Sequence, residues 1–184
     1  MKRFLSLILG LVLIVSFVGC EDNDIDKNSF ESAKEYVDGV KSEREQKEEK
    51  EREQYENSKK SIKEEVSIPG YTLKIKDYSI VNSTVFDDKK NIIITFDYTN
   101  TGENDGQFGV LVGFGSQPSL KLYQDGIEIT GTVSKLLKNV STIIKPGTTI
   151  EVINAYQLEN ETSDIEVELN NYDREISTGT IKLK

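Results

Sequence analysis

Apolar and polar residues alternate along much of residues 71–184, which is the period of a β-strand that buries one face. The alternation is strictest in residues 165–169, where every second residue is a glutamate. In residues 92–98, isoleucine and aromatic side chains share one face, and Thr95 and Asp97 lie on the other. The segments with a strand-like pattern are residues 71–76, 92–98, 108–115, 119–123, 127–129, 150–156, 165–169 and 181–183.

Turn signals separate these segments. Gln124-Asp125-Gly126 is a tight hairpin signal, because Asp-Gly supplies the backbone conformation that such turns need. Pro146-Gly147 is a second turn, before residues 150–156. Residues 133–144 are ambiguous and could hold a short helix between sheets. Short strands at about 8–12-residue spacing predict a mainly β fold, an antiparallel β-sandwich.

The period is different before Ser67-Ile68-Pro69-Gly70. One weak helical stripe of about three turns is formed by Phe30, Ala33, Tyr36, Val37 and Val40. Residues 41–65 are mostly charged helix formers with almost no apolar positions, so a helix there has no core to pack against. We therefore expect residues 20–65 to be a charged stalk that buries almost nothing, either a partly frayed helix or disordered. The folded domain is expected to cover residues 66–184.

The first residues form a different kind of segment. Met1-Lys2-Arg3 precedes the apolar residues 4–18, which end at Gly19-Cys20 and an acidic run. An apolar segment of this length spans roughly 22 Å, and a bilayer core is about 30 Å thick. The pattern resembles a bacterial lipoprotein signal, with Phe17-Val18-Gly19-Cys20 as the lipobox. The resemblance implies a signal peptide over residues 1–19 and a diacylglycerol on the Cys20 sulfur; the alternatives are an uncleaved membrane helix and secretion with a free thiol.

Charge narrows the classes of partner. The chain has 32 acidic and 23 basic residues, a net charge of −9, and losing Lys2 and Arg3 with the signal peptide would take it to −11. Nucleic-acid binding needs clustered basic residues, so we expect no nucleic-acid partner. Membrane attachment is expected through the lipid on Cys20 rather than through a basic surface.

The lack of histidine and the single cysteine limit the catalytic and metal-binding sites that the chain could form. The sequence has no histidine, which removes the commonest general base and the Ser-His-Asp and Cys-His arrangements. Cys20 is the only cysteine, so a lipidated chain has no disulfide and no thiolate metal site. We expect no cofactor, no metal and no catalytic residue; an enzyme using carboxylates is the remaining catalytic alternative.

Three motifs in residues 71–170 carry a further resemblance. They are residues 92–101, a strand that ends in Asn-Thr; residues 122–129, an aromatic-Gln-Asp-Gly hairpin; and residues 145–150, a Pro-Gly turn followed by Tyr156-Gln157-Leu158. Their order and spacing resemble the immunoglobulin-like domain of Gram-positive surface lipoproteins that is known only as a domain of unknown function. The resemblance implies an immunoglobulin-like sandwich and transfers no functional residue.

The sequence offers one candidate contact site. Glu103, Asn104 and Asp105 cluster in the loop of residues 100–106, are not needed for a core, and could contact a partner or hold calcium. Strand-connecting turns also favour these residue types. Glu166 and Glu168 lie two apart, but a glycosidase pair needs a cleft between opposed carboxylates, and a solvated sheet face explains them.

Together these patterns predict a lipid-anchored protein on the extracytoplasmic face of the cell membrane. Its expected role is binding, with an unknown protein or cell-wall component as the partner. The alternative functions are an immunity or inhibitory lipoprotein and a carboxylate-based enzyme.

Overall fold

Strands and short connections make up most of the described chain. The computed structural model describes residues 27–86, 88–113, 118–132, 134–171 and 175–183, with side chains from residue 34 onward. In chain order the elements are α1 (Lys27–Ser58), β1 (Lys60–Ile68), β2 (Tyr71–Asn82), β3 (Lys90–Asn100), β4 (Gly106–Gln107), α2 (Phe108–Leu111), β5 (Ser119–Gln124), β6 (Ile127–Ile129), β7 (Ile143–Ile144), β8 (Thr149–Gln157), β9 (Ile165–Asn170) and β10 (Ile176–Ile181).

All strand pairs between these elements are antiparallel. The first sheet has the order β1-β2-β3-β8, and the second has the order β10-β9-β5-β6. A small third sheet pairs β4 with β7. The fold is mainly β, and its antiparallel sheets agree with the predicted β-sandwich.

The core lies between the first and second sheets. One cluster of buried apolar residues takes members from both, among them Ile75 and Phe96 from the first sheet and Leu122 and Val167 from the second. In β3 the side chains at 92, 94, 96 and 98 point into this cluster, as the alternation predicts. Because sequential side chains of a strand point to opposite faces, Ile93 lies on the outer face of the first sheet.

The two predicted turns form. Asp125 and Gly126 both have positive φ, 52° and 77°, which matches the two-residue hairpin turn that joins β5 to β6. In the turn after β7, the Thr148 amide donates to the Lys145 carbonyl at 3.1 Å and Gly147 has φ of 76°. The first turn sets the register of β5 with β6, and the second leads from β7 into β8.

Residues 108–111 are a helical turn rather than part of the strand predicted over 108–115. Phe108 and Leu111 are three apart, so one turn of helix directs both into the core, where neither is exposed. Val110 is left at the surface. A short apolar run does not distinguish a buried strand from a buried helical turn. The predicted strand over residues 108–115 is therefore wrong for residues 108–111.

The chain divides between Glu43 and Arg44 into two compact units. In the first unit the described residues belong to α1, and Tyr36, Val37 and Val40 are exposed there. The second unit contains the rest of α1 and all strands.

The expectation that the stalk of residues 20–65 buries almost nothing is wrong for its last part. Glu51 and Tyr55 are 2% and 4% exposed. Strand β1 begins at Lys60, so the predicted division between residues 65 and 66 falls inside a strand. Charged residues occupy its outer positions, as is common on edge strands, and they conceal the alternation that leads to Val66.

The predicted signal peptide and Cys20 lie outside the described residues. Among the described residues, no helix combines the length and the apolar character that crossing a bilayer requires.

Candidate functional site

The predicted contact loop is held by a buried asparagine at the end of β3. The Asn100 Nδ2 group donates to the carbonyl oxygens of Asn104 at 2.7 Å and Ile144 at 3.2 Å. Its Oδ1 atom accepts a bond from the Gly102 amide at 3.1 Å. The loop backbone is therefore fixed before any partner arrives.

Two neighbouring turns join this loop at one end of the sandwich. The Thr101 amide donates to the Gly70 carbonyl at 3.0 Å, and the Gly147 amide donates to the Asn100 carbonyl at 2.8 Å. Glycine is needed beside this loop at Gly106, where a Cβ would lie 2.5 Å from the Tyr98 hydroxyl.

Glu103, Asn104 and Asp105 are all exposed, as their residue types predict. Asp105 forms an ion pair with Lys145 at 2.9 Å, which brings a cation from the Pro-Gly turn next to the loop acids. Among the described residues, no three acidic side chains converge closely enough to hold a metal ion. The arrangement is a rigid polar surface suited to hydrogen bonds and ion pairs with a partner.

Glu166 and Glu168 lie on the solvent side of β9. Glu166 is exposed, and Glu168 accepts a hydrogen bond from the Asn170 side chain at 2.8 Å. They point from one strand in the same direction, so they do not face each other across a cleft.

A cavity of about 710 Å³ opens beside the second sheet, at a place the sequence did not indicate. Its walls come from the end of α2, from β5 and β6, from residues 130–132 and from β8. Glu128, Thr130 and Gly131 of the lining are exposed, whereas Leu111, Leu122 and Ile129 lie in its wall but are at most 3% exposed. These residues alternate as ordinary core positions do, so no pattern marked them as the wall of a cavity.

Polar groups also reach this cavity. The Asn154 side-chain amide donates to the Tyr156 hydroxyl at 3.0 Å, and burial raises the pKa of Tyr156 above its ordinary value. Lys121 and Glu128, which also line the cavity, form an ion pair at 3.4 Å. Tyr156 therefore keeps its proton near neutral pH and does not act as a base there.

Known proteins resemble this chain in fold, and one family model matches its sequence. The fold resembles the crystal structure of the lipoprotein candidate ycdA of Bacillus subtilis, with a TM-score of 0.50 and 15% identity over 67% of this chain. The match spans 39% of the ycdA chain.

Two further solved structures are similar at lower scores. A functionally unknown protein from Listeria monocytogenes matches with 11% identity and a TM-score of 0.48, over 68% of this chain and 85% of its own. A conserved hypothetical protein from Bacillus anthracis matches with 15% identity and a TM-score of 0.42, over 65% of this chain and 96% of its own.

Among curated proteins, none matches this sequence. The family model described as "Domain of unknown function (DUF5067)" matches residues 44–171. The match begins at the residue where the second compact unit begins, so it includes the end of α1 as well as the strands through β9. Since the match covers more than half of the sequence, the chain belongs to the family of the domain of unknown function DUF5067.

Proposed function

We propose that this protein is a lipid-anchored binding module that holds an apolar group of its ligand in the cavity beside the second sheet. The cavity itself carries the proposal. Ligand pockets are clefts of about 300–1,000 Å³ with apolar walls and a few well-placed polar groups. The volume of about 710 Å³, the leucine and isoleucine side chains buried in the wall and the Asn154–Tyr156 pair support a pocket of this kind.

The proposed location is the extracytoplasmic face of the cell membrane. It rests on the lipobox that ends at Cys20 and on the likeness to a lipoprotein candidate of a Gram-positive bacterium. In this proposal the domain is an immunoglobulin-like sandwich, and a lipid on Cys20 holds it at the membrane. Stable anchoring needs two or more acyl chains, which a diacylglycerol supplies.

Binding fits the cavity better than catalysis does. Among its buried polar side chains, Asn154 and Tyr156 bond to each other, and the Ser119 hydroxyl donates to the Asn170 side chain at 2.7 Å. The raised pKa of Tyr156 keeps it from acting as a base at neutral pH. A nucleophile would need such a base within hydrogen-bond reach. The sequence has no histidine to provide one.

The loop of Glu103 to Asp105 is a second proposed contact surface. Asn100 fixes its backbone while its acidic side chains stay exposed. A preformed loop loses little conformational freedom on binding, which favours affinity. Polar and acidic contacts here would weaken as the salt concentration rises.

An apolar fluorescent probe tests the cavity. We expect 1-anilinonaphthalene-8-sulfonate to bind the folded mature chain and to shift the amide NMR signals of β5, β6 and residues 130–132. Thr130→Trp places a large side chain at an exposed position of the lining and should remove these shifts. Thr101→Trp, a matched change in the loop at the end of the sandwich, should leave them unchanged.

Shifts confined to other surfaces, or equal shifts in the wild type and Thr130→Trp, would contradict the cavity proposal. The loop is tested separately by changing both Glu103 and Asp105 to Ala. These exposed changes should alter the free energy of unfolding by no more than about 0.5 kcal/mol. If cell-surface extracts then yield the same bound proteins as the wild type, the loop is not a contact surface.

A further inference from the structure

The last turns of α1 cover an apolar patch on the outer face of the first sheet. Tyr55 packs there against Val81 of β2, Ile93 of β3 and Ala155 of β8. This cluster is separate from the core between the sheets. The end of α1 is therefore a cover on the sandwich and not one of its two layers.

Hydrogen bonds position this cover. The Tyr55 and Thr95 hydroxyl groups form a hydrogen bond of 3.1 Å. The Gln54 Oε1 atom accepts a hydrogen bond from the Asn82 backbone amide at 2.8 Å. The helix is docked by a small apolar contact and a few polar bonds.

A carboxyl group is buried in the same contact. Glu51 is 2% exposed; its Oε1 atom accepts a hydrogen bond from the Ser134 hydroxyl at 2.9 Å, and its Oε2 atom has no partner among the described residues. Burial raises the pKa of Glu51, the Ser134 bond lowers it, and the negative charge of Glu48 raises it.

A second buried polar group without a partner lies on this face. Asn91 is unexposed, and neither its Oδ1 nor its Nδ2 atom has a partner among the described residues. It pairs with Val81 in the sheet and lies two residues before Ile93, so it shares the outer face. Burying polar groups without partners is unfavourable, which makes this contact weaker than its apolar residues suggest.

The elements around Glu51 carry few charges that could compensate its ionisation. On α1, Glu48 adds a like charge. On the segment after β6, Lys135 pairs with Glu48 at 3.5 Å and Lys138 pairs with Glu151 of β8 at 3.0 Å. On β2, Asp77 accepts a bond from Thr95 at 2.7 Å. The described structure therefore gives the Glu51 carboxylate no cation of its own.

We propose that the docked end of α1 is a pH-sensitive latch, closed while Glu51 holds its proton and released from the first sheet as Glu51 ionises. Release exposes Ile93, Ala155 and their apolar neighbours while the core between the sheets stays intact. The family match starts at residue 44, so it contains the latch as well as the sandwich.

The direction of the effect follows from linkage. A carboxyl group with a raised pKa in the docked state stabilises docking fully below its pKa in the released state, about 4.3. That stabilisation is lost as the pH rises through the raised pKa. Between about 4.3 and the raised pKa, each pH unit lowers the docking constant by up to about tenfold, and above the raised pKa the constant no longer changes.

Thiol labelling measures the release. Ala155→Cys, in a mature chain with Cys20→Ala, places a thiol beneath the latch. Ser141→Cys gives an exposed thiol, whose labelling rate is used to correct for the rise of thiol reactivity with pH. As the pH rises from about 4.3, we expect the corrected labelling rate at residue 155 to rise by up to tenfold per pH unit and then to level off. Val152→Cys, in the core between the sheets, should stay unlabelled throughout because only global unfolding exposes it.

Two matched variants make the assignment specific. Glu51→Gln cannot ionise, so the rate at residue 155 should stay low and independent of pH. Glu53→Gln changes an exposed glutamate of the same helix and should keep the wild-type pH dependence. The proposal would be overturned if the corrected rate at residue 155 did not change with pH in the chain that keeps Glu51. It would also be overturned if that rate rose equally in Glu51→Gln. Equal labelling at residues 152 and 155 would overturn it as well, since release would then be global unfolding.

Discussion

Replacing Asn100 with alanine tests whether one buried side chain organises the proposed contact loop. Asn100 is 2% exposed and its amide joins three backbone groups: the carbonyls of Asn104 and Ile144 and the amide of Gly102. Alanine keeps the strand conformation but removes all three bonds. The perturbation therefore acts on the loop and on β7 without changing the apolar core.

The magnitude follows from these bonds. Each hydrogen bond contributes about 0.5–1.5 kcal/mol, and a buried group left without a partner costs about 1–3 kcal/mol. The bond to the Ile144 carbonyl is buried, so part of its loss is not repaired by water. We expect the free energy of unfolding to fall by about 2–4 kcal/mol and Tm to fall by about 6–16 °C.

Urea denaturation followed by circular dichroism measures the change, and hydrogen exchange at the Gly102 amide locates it. Asn104→Ala is the matched control: that residue contributes its backbone carbonyl, and its side chain is exposed, so its effect should stay within about 0.5 kcal/mol. Equal stability of the two variants, or unchanged protection of Gly102, would refute the idea that Asn100 holds the loop.

Two other predictions concern the chain before the strands. Residues 44–184 should melt cooperatively, whereas residues 66–184 should be much less stable because they lack Tyr55 and most of β1; calorimetry of the two fragments checks this, and an equally stable shorter fragment would show that the latch and the first part of β1 add nothing. Cys20→Ala should abolish lipid attachment and release the protein from membranes, which fractionation and mass spectrometry of the N-terminus measure. An unlipidated wild-type protein would exclude the lipoprotein proposal.

Local patterns predicted the parts of the fold that local physics controls. In β3 the alternation placed residues 92, 94, 96 and 98 on one face, and that face lies in the core. The Asp125-Gly126 turn was predictable because few residue types tolerate positive φ at both central positions. The exposed loop of Glu103 to Asp105 was predictable because its residues favour turns and offer nothing to a core.

The features that were missed depend on contacts between distant residues. Residues 108–111 fit a strand or a helical turn equally well, and the position of the core selected the helix. The cavity arises from the separation of elements that are far apart in the sequence, such as α2 and β8. No single segment carries a pattern for either feature.

The end of α1 shows why a charged sequence is an incomplete guide to exposure. Tyr55 is one aromatic residue in a polar run, too little for a helical stripe, yet it completes a cluster whose other members come from three strands. Glu51 is buried because it is one turn before Tyr55 on the same side of the helix, and docking Tyr55 brings it against the sandwich. The same geometry that hides the carboxyl also leaves it without a cation. Glu51 is thus buried because Tyr55 packs against the sheet, and the latch is sensitive to pH because Glu51 is buried.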